Sequence, residues 1–326
     1  MDVLEHYRSI VWPFIESYLN GRLKDGFHRD IILNYPRRMG KYLRPSLVMI
    51  TAGAMGLDIN QTIPTAAAIQ ISEDWILNHD DIEDDSDQRR GEKSLHKMFG
   101  LPLALNAGDA LHALNWQLIY TINNKAIFEE FSQIINRTTH GQTLDIKYII
   151  DNNFNLSLDD VYQIIESKTC YYTIAGPMRL GAILAGATSD QLDLIYKFGL
   201  SLGKAFQIID DYLDLTSTFD GQKNQVGNDI YESKRTVFLV HLLQHCKDPK
   251  IIEILSRPRH QKTEADVQFI IKLMQDNGSL EFGFALAKEF AATALNIFQK
   301  DLLFLNQEPF RQELAQIIDF IVNRKK

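Results

Sequence analysis

The sequence contains little cysteine. Only Cys170 and Cys246 are present in 326 residues, and they stand far apart without the spacing of metal-ligand pairs. A disulfide framework and a structural zinc site are therefore disfavoured. Unpaired thiols persist in a reducing compartment, so the composition predicts a cytoplasmic protein.

Long apolar runs and an excess of positive charge are also absent. No hydrophobic stretch approaches the length of about 18 residues that suggests a membrane span, and the opening MDVLEHYRSIVWPF lacks the features of a secretion signal. With 34 Lys and Arg against 42 Asp and Glu, the formal charge is −8, which disfavours nucleic acid or an anionic membrane as a partner. We predict no stable membrane insertion, and any bound anion must be met by a local basic cluster.

Strand-like alternation of apolar and polar residues is missing as well. Apolar residues instead recur three and four positions apart, which predicts helices. Proline is absent between Pro102 and Pro177 and again between Pro177 and Pro249, which leaves room for long helices. No linker or repeat divides the sequence, so we predict one all-α domain over residues 1–326.

Two clusters of acidic residues stand out against this background. HDDIEDDSDQRRG covers 79–91 and DDYLD covers 210–214, and each places the spacing D-D-x-x-D at the end of an apolar helical segment. On a helix, Asp80, Asp81 and Asp84 fall on one face, where their charges repel. A solvated acidic surface explains one such cluster equally well. Partial burial of two clusters would raise the repulsion to about 4 kcal/mol per pair at about 4 Å, so a cation would then be needed.

The carboxylates of these clusters favour Mg²⁺, which combines one or two hard oxygen ligands with the phosphates of a substrate. Such a substrate also needs cationic side chains to fix its orientation. Taken singly, each nearby basic residue is better explained as a surface side chain, but the set favours a polyphosphate ligand. The candidates are Lys41, Arg44, Arg89, Arg90, Lys168 and Lys234.

An ordered series of motifs resembles the trans-prenyl diphosphate synthases, the polyprenyl synthase branch of the all-α isoprenoid synthase fold. The resemblance extends from about Gly40 to Thr236. In chain order the motifs are GKYLRP (40–45), HDDIEDDSDQRRG (79–91), NAGD (106–109), SKT (167–169), AFQIIDDYLD (205–214) and GNDIYESKRT (227–236). One D-D-x-x-D would be weak support, whereas the whole ordered set is specific.

The resemblance implies a magnesium-dependent prenyltransferase that joins isopentenyl diphosphate head-to-tail to an allylic diphosphate. Three Mg²⁺ ions are expected on the allylic diphosphate, held by the residues in the metal-binding places, Asp80, Asp81, Asp84, Asp210, Asp211 and Asp214. The other site residues are Lys41, Arg44 and Arg90 for isopentenyl diphosphate, Arg89, Lys168 and Lys234 for the allylic diphosphate, and Thr169 and Gln207 beside the reacting carbons. A homodimer is implied too, because family members are mostly homodimers.

Three positions depart from the family pattern. The least important is Tyr42 in GKYLRP, which stands where many relatives carry Arg at a position that varies. Glu73, seven residues before Asp80, stands where isopentenyl diphosphate is usually contacted by His or Gln. A carboxylate beside a diphosphate is unfavourable unless it is protonated or turned away. Gln225 stands where a lysine is common, and Lys223 lies two residues earlier. These changes concern the binding of isopentenyl diphosphate more than the binding of metal.

Product length in this family depends on bulk at the floor of the substrate tunnel, one turn before the first aspartate. Trp75 and Ile76 occupy those places, five and four residues before Asp80. Ordinary core packing is the alternative explanation of Trp75, and also of His112 and Trp116 on the following helix. The bulk predicts early termination, and hence farnesyl or geranylgeranyl diphosphate.

Two other functions remain open. A class I terpene cyclase also begins from D-D-x-x-D, but its second motif needs Ser or Thr where this chain has Glu232 after Asn228 and Asp229. A non-catalytic regulatory subunit of a heteromeric synthase typically loses one aspartate cluster, whereas this sequence keeps both. The retained clusters favour the enzyme.

Overall fold

The structure, a computed structural model, describes residues 2–216 and 226–323. The chain divides into two compact units. The first unit takes in Met1–Ser132, Gly176–Leu192 and Phe304–Leu314, and the second takes in Gln133–Ala175, Asp193–Leu303 and Ala315–Lys326. The first acid motif belongs to the first unit and the second acid motif to the second unit.

Helices make up nearly all the regular structure of the described residues. In chain order the α-helices are α1 (Asp2–Asn20), α2 (Phe27–Ile32), α3 (Asn34–Arg37), α4 (Leu43–Ala54), α5 (Ile63–Glu83), α6 (Leu95–Phe99), α7 (Leu101–Ile122), α8 (Lys125–Ile150), α9 (Leu158–Ile165), α10 (Gly176–Leu184), α11 (Ser189–Thr216), α12 (Asn228–Tyr231), α13 (Val237–His245), α14 (Pro249–Leu255), α15 (Glu264–Asp276), α16 (Ser279–Lys300) and α17 (Phe310–Val322). Short 3₁₀-helices cover Ile59–Thr62 and Arg259–Gln261, and a π-helical segment covers Glu166–Ala175.

The predicted all-α class is confirmed. The proline-free intervals hold the long helices α8 and α11, of 26 and 28 residues, and all of the 22-residue α7 after Pro102 in its first turn. Within the described ranges the one pair of strands is a small hairpin, in which β1 (Gln88–Arg89) pairs with β2 (Glu92–Lys93). Among the described helices, none combines the length and apolarity that a membrane span requires.

The first unit is centred on α5, which packs against α1, α4 and α7. The end of α5 meets α7 at Gly108, the glycine of the NAGD motif. A Cβ atom at Gly108 would lie 2.3 Å from Nε2 of His79 and 2.8 Å from Nδ2 of Asn78. Asn78 also donates to the carbonyl of Ala104 at 2.7 Å. Because Gly108 has no side chain, α7 can pack directly against His79, the residue that precedes Asp80.

In the second unit, α11 packs closely against the π-helical segment through two glycines four residues apart. A Cβ atom at Gly199 would lie 2.5 Å from Cβ of Ala175, and one at Gly203 would lie 2.6 Å from Cα of Cys170. Gln207 follows one turn later on the same face of α11. The glycine face thus fixes the register between the segment that carries Lys168 and the helix that carries the second acid motif.

Two buried cations hold the loop that follows α12. Ser233 in this loop has φ 60°, a left-handed conformation. Lys262 donates to the carbonyl of Tyr231 at 2.7 Å and also to the hydroxyl of Ser233, while Arg235 donates to the carbonyl of Ser233. Burial, aided by the nearby Arg235 and Arg259, lowers the pKa of Lys262 to about 8. The loop is therefore fixed by cations that donate hydrogen bonds to carbonyl and hydroxyl oxygens rather than to carboxylates.

Replacing Lys262 by methionine should make the stability difference from the wild type depend on pH. The folded-state pKa of Lys262 is about 8, below the ordinary value of about 10.4. Between these values the unfolded chain holds the proton and the folded chain does not, so the wild type gains stability relative to Lys262→Met as the pH rises. We expect a gain on the order of 1 kcal/mol, seen in melting temperatures from about pH 7 to about pH 10.

Lys272→Met is the matched control, because Lys272 is an exposed lysine of α15 with an i,i+4 ion pair to Asp276. Its stability difference from the wild type should change little over the same pH range. If the stability of the wild type relative to Lys262→Met stays constant or falls as the pH rises, the proposed burial of the Lys262 charge is contradicted.

Candidate active site

The acidic end of α5 is organised around Asp81, which is fully buried. Its Oδ1 accepts a hydrogen bond from Nε of Arg89 at 2.9 Å, and its Oδ2 accepts one from the hydroxyl of Tyr35. Burial raises the pKa of the Asp81 carboxyl, and Arg89 opposes that shift. Asp80 and Asp84 lie one turn apart and are only partly buried. Asp81 thus holds the motif in place, and its two partners have the greater access to a ligand.

The two arginines of the first motif stand at the hairpin, where Arg89 ends β1 and Arg90 is the first residue of the loop. Arg90 and Gly91 have φ 53° and 81°, the positive values that a two-residue type I′ hairpin loop requires. From the end of β1, Arg89 contacts Asp81 and lies 3.4 Å from Asp80. From the loop, Arg90 contacts a different pair of carboxylates, Glu73 and Asp74, which precede the motif on α5. The RRG sequence therefore serves two separate anionic positions on α5.

The second of these positions is a cluster of two arginines and two carboxylates. Nη1 of Arg44 lies 3.1 Å from Oε2 of Glu73, and Nη2 of Arg90 lies 3.2 Å from Oε1 of the same side chain. Arg90 also donates to Oδ1 of Asp74 at 2.9 Å. Burial opposes ionisation of Glu73, but Arg44 and Arg90 outweigh it and lower the pKa of that carboxyl. Glu73 is therefore neither protonated nor turned away from the predicted diphosphate-binding arginines.

The GKYLRP segment is joined to this cluster. A Cβ atom at Gly40 would lie 2.8 Å from Nη2 of Arg90, so a larger residue would push the end of the Arg90 side chain aside. Lys41 follows it and is exposed. Tyr42 then adopts a left-handed φ of 59° just before α4 begins. The structure thus brings Arg44 and Arg90 together at Glu73, with Lys41 on the adjoining turn.

A row of aromatic rings lies beside the first motif. The rings of Trp75 and His112 have centroids 4.5 Å apart, and Nε2 of His112 accepts a hydrogen bond from Nε1 of Trp116 at 2.7 Å. Burial, followed by His79, lowers the pKa of His112, which suits a neutral ring that must accept from an indole. The row continues to Phe128, 5.2 Å from Trp116. Trp75 is buried within it, and the neighbouring Ile76 is partly buried.

In the second unit, Lys168 lies in the π-helical segment, a geometry often found at functional sites. Its Nζ donates to Oδ2 of Asp145 on α8 at 3.0 Å. The two elements approach closely because a Cβ atom at Gly141 would lie only 2.4 Å from the backbone nitrogen of Lys168. Thr169 follows and is partly buried. The ammonium group of Lys168 is therefore oriented by a side chain 23 residues earlier.

The second acid motif has its own internal connections. Gln207 donates from Nε2 to Oδ1 of Asp211 at 2.7 Å. Oδ2 of Asp214 accepts a hydrogen bond from the backbone N–H of Asp229 at 3.0 Å. The first turn of α12 therefore contacts the motif. Asp211 and Asp214 are buried, whereas Asp210 is only partly buried. Asp210 has the greatest access to a ligand among the three.

Lys234 is oriented by a carboxylate of the same loop. Its Nζ lies 2.7 Å from Oε2 of Glu232, and Nη1 of Arg259 lies 2.9 Å from Oε1. Burial opposes ionisation of Glu232, but Lys234 and then Arg259 lower its pKa. Asn228 donates to the same carboxylate at 2.6 Å. The position that separates this sequence from the cyclase motif therefore carries the partner of a predicted substrate-binding lysine.

Several residues that organise the site were missed by the sequence reasoning. They are Tyr35, Asp74, Asp145, Glu232, Arg259 and Lys262. For Asp145 a signal was present, because GQTLD (141–145) places a glycine one turn before the acid on a long helix. For Tyr35 and Lys262 no local pattern exists, since their partners Asp81 and Ser233 are distant in the chain.

The site residues suit a divalent cation in chemistry, although each acid motif stands within its own unit. Both motifs offer hard carboxylate oxygens without His or Cys among the donors. In residues 2–216 and 226–323, no group of three His, Cys, Asp or Glu side chains converges as a ready metal cage. The carboxylate oxygens themselves suit Mg²⁺, which keeps water and substrate phosphate among its ligands. Lys223 and Gln225 lie outside the described residues, so their effect stays a prediction.

Comparison with known proteins gives the family. The model of the polyprenyl synthetase family matches residues 28–274. A short chain isoprenyl diphosphate synthase from Methanothermobacter thermautotrophicus is 30% identical over 293 residues, which cover 88% of this chain and 87% of that protein. A geranylfarnesyl diphosphate synthase from Natronomonas pharaonis is 28% identical over 306 residues, covering 87% of this chain and 86% of that protein.

A solved structure agrees with these relatives. The polyprenyl synthase from Caulobacter crescentus CB15, complexed with calcium and isoprenyl diphosphate, superposes with a TM-score of 0.87 at 25% identity, covering 100% of this chain and 98% of that chain. The predicted isoprenoid synthase fold is confirmed. The assignments as a trans-prenyl diphosphate synthase and a prenyltransferase are confirmed as well. The chain belongs to the polyprenyl synthetase family.

Proposed function

We propose that the enzyme joins isopentenyl diphosphate head-to-tail to an allylic diphosphate and makes a short trans-prenyl diphosphate, farnesyl or geranylgeranyl diphosphate. The observation that carries the proposal is the fixed geometry of the first acid motif, in which Arg89 and Tyr35 hold Asp81. This geometry keeps Asp80 and Asp84 on adjacent turns with a guanidinium beside them. A metal-bound diphosphate requires that combination of carboxylates and cation.

The divalent cation of the proposal is Mg²⁺, in three sites on the allylic diphosphate. When bound, Mg²⁺ supplies a Lewis acid that withdraws charge from the diphosphate. The calcium bound to the Caulobacter polyprenyl synthase supports a divalent-cation site of this kind. Asp81 can add an oxygen lone pair only alongside its bonds to Arg89 and Tyr35, which a carboxylate has the capacity to do. The proposed ligands are Asp80, Asp81, Asp84, Asp210, Asp211 and Asp214.

Three cations are proposed to bind the allylic diphosphate, and each is held by a carboxylate. The pairs are Arg89 with Asp81, Lys168 with Asp145, and Lys234 with Glu232. Because these side chains are oriented before substrate arrives, little reorganisation is needed when the carbon–oxygen bond breaks. The bonding electrons leave with the diphosphate, and its growing negative charge is stabilised by the fixed cations.

Thr169 and Gln207 are proposed to lie beside the allylic cation. The amide nitrogen of Gln207 is engaged by Asp211, so its carbonyl oxygen is the end that can stabilise positive charge. The double bond of isopentenyl diphosphate attacks the cation and forms the new carbon–carbon bond. The proton lost from the resulting intermediate passes to the released diphosphate. No Ser–His or Cys–His nucleophile is required at any step.

The short product is supported by the aromatic row next to the first motif. Trp75 is 6% exposed and its ring centroid lies 4.5 Å from that of His112, which is itself held by Trp116. A buried ring in such contacts cannot swing away at low cost, because close-packed cores resist changes in shape. We therefore propose that Trp75, with Ile76 beside it, blocks the growing chain after a few additions.

A homodimer is part of the proposal. The outer faces of α7 and α8 expose large apolar side chains, among them Tyr120 at 81% and Phe128 at 48%. Trp116, one turn before Tyr120, contacts Phe128, so these rings belong to one surface. Exposed apolar patches of this type usually mark an interface with another protein. A second copy of the chain is the proposed partner.

We further propose a cytoplasmic enzyme whose ligands are small diphosphates rather than nucleic acid. Cys170 and Cys246 form no disulfide, as suits a reducing compartment. The formal charge of −8 weakens any general attraction for nucleic acid. The products of an assay with both substrates distinguish this enzyme from a regulatory subunit and from a cyclase.

Purified protein incubated with Mg²⁺, isopentenyl diphosphate and each allylic diphosphate should give an elongated prenyl diphosphate. A cyclised hydrocarbon would indicate the cyclase, and no product would indicate a regulatory subunit. Asp80→Asn removes one carboxylate oxygen from the proposed metal site at constant volume and should lower turnover by at least about 100-fold. Asp85→Asn is the control, because Asp85 is an exposed acid of the same run that pairs with Lys97. Equal turnover in the two variants would contradict the assigned role of Asp80.

Trp75→Leu should lengthen the product by one or more isoprene units, because it removes bulk from the proposed floor while keeping an apolar side chain. Product length is measured by chromatography of the dephosphorylated alcohols. Trp12→Leu is the control, since Trp12 lies on α1 and is partly buried. That variant should lose stability without changing product length. An unchanged product from Trp75→Leu would remove Trp75 from the chain-length role.

Phe128→Glu should convert the dimer to monomer, because it places a charge in the proposed apolar interface. The molar mass is measured by sedimentation equilibrium over a range of protein concentrations. Ile252→Glu is the control, since Ile252 is an exposed apolar residue of α14 at 45% exposure. A wild-type protein that stays monomeric, or a Phe128→Glu variant that stays dimeric, would contradict this interface.

A further inference from the structure

Both arginines proposed to bind isopentenyl diphosphate already have an anionic partner within the protein. Glu73 bridges them, with one carboxylate oxygen 3.1 Å from Arg44 and the other 3.2 Å from Arg90. The side chains of Arg44, Arg90 and Glu73 are 18%, 14% and 12% exposed. A diphosphate that binds these guanidiniums must therefore enter a position that an internal carboxylate already occupies.

Asp74 has a different part in the same cluster. Its side chain is 1% exposed and contacts Arg90 at 2.9 Å. Burial raises the pKa of Asp74 to about 6, and Arg90 opposes that shift. Asp74 is thus a buried partner of the Arg90 guanidinium. Glu73 lies between both guanidiniums, where a ligand with two phosphate groups would bind.

Charge balance makes the competition specific to Glu73. The two guanidiniums and the two carboxylates of the cluster cancel in formal charge, and the pKa of Glu73 is lowered by Arg44 and Arg90, so it stays ionised near neutral pH. Lys41, an exposed lysine on the adjoining turn, adds one positive charge next to this cluster. A diphosphate therefore meets a cluster without net charge instead of two unneutralised arginines, and its attraction is reduced accordingly.

We propose that Glu73 is an internal counter-anion that competes with isopentenyl diphosphate for Arg44 and Arg90, and thereby sets the affinity of this site. The inference rests on the proposed function, which assigns the two arginines to that substrate. Binding of the diphosphate requires the carboxylate of Glu73 to give up at least one of its two guanidinium contacts. The residue thus determines affinity for the second substrate without acting on the reacting carbons.

Glu73→Gln tests the proposal, because it removes the charge and keeps the size of the side chain. Calorimetry with isopentenyl diphosphate alone should give a dissociation constant at least about tenfold lower than that of the wild type, equivalent to about 1.4 kcal/mol. The dissociation constant for dimethylallyl diphosphate should change by less than about twofold. In turnover, KM for isopentenyl diphosphate should fall while kcat changes little.

Glu130→Gln is the matched control. Glu130 is a buried carboxylate of the same unit that forms a two-point pair with Arg179, at 2.9 Å for each contact. Its neutralisation perturbs a buried arginine pair outside the proposed site, so affinity for isopentenyl diphosphate should stay at the wild-type value. Should melting curves show that Glu73→Gln is unfolded, Glu73→His serves as the second variant, since it also lacks the carboxylate.

The outcomes distinguish this inference from the proposed function. Unchanged or weaker binding of isopentenyl diphosphate to the Glu73 variant would overturn the counter-anion role and would assign Glu73 to holding the arginines in place. Binding to neither protein would overturn it as well. Failure of the wild type to elongate any allylic diphosphate would instead contradict the proposed function. Calorimetry would still decide whether Glu73 competes with a diphosphate.

Discussion

Ion pairs between buried carboxylates and arginines determine where the functional side chains of the first unit lie. An ionised group inside a protein is costly unless it is paired and hydrogen-bonded. Asp81 is satisfied by Arg89 and Tyr35 together, and this requirement fixes the end of α5 against the hairpin. The hairpin loop then sends Arg90 to a second set of carboxylates. One constraint therefore positions both the predicted metal ligands and the predicted diphosphate-binding arginines.

The second unit meets the same constraint with lysines and with backbone carbonyls. Lys168 and Lys234 are each oriented by one carboxylate, Asp145 and Glu232. Lys262, by contrast, is buried against a carbonyl and a hydroxyl, and burial, followed by the nearby Arg235 and Arg259, lowers its pKa. The cations proposed to bind substrate are thus paired with acids, whereas the cation that holds the loop is paired with neutral oxygens.

The features that the sequence could predict are those set by local spacing. The D-D-x-x-D motifs, the long helices and the ordered motif series depend on residues that are close in the chain, and the all-α fold followed from helical periodicity. The hairpin at Gln88–Lys93 was not predicted, because two residues per strand are too few to show alternation. The partners of Asp81 and Lys168 were missed for a different reason. Tyr35 and Asp145 stand 46 and 23 residues away, and only packing brings them near.

The proposed floor of the product site and the proposed dimer surface are the two ends of one row of rings. Trp75 lies five residues before Asp80, and the row passes through His112 and Trp116 to Phe128, which is exposed. Each ring is held by the next, so a partner packed on Phe128 would also stiffen Trp75 through these contacts. If both proposals hold, association of two chains and control of product length depend on the same packed side chains. A change on the outer surface could then alter the product without touching the acid motifs.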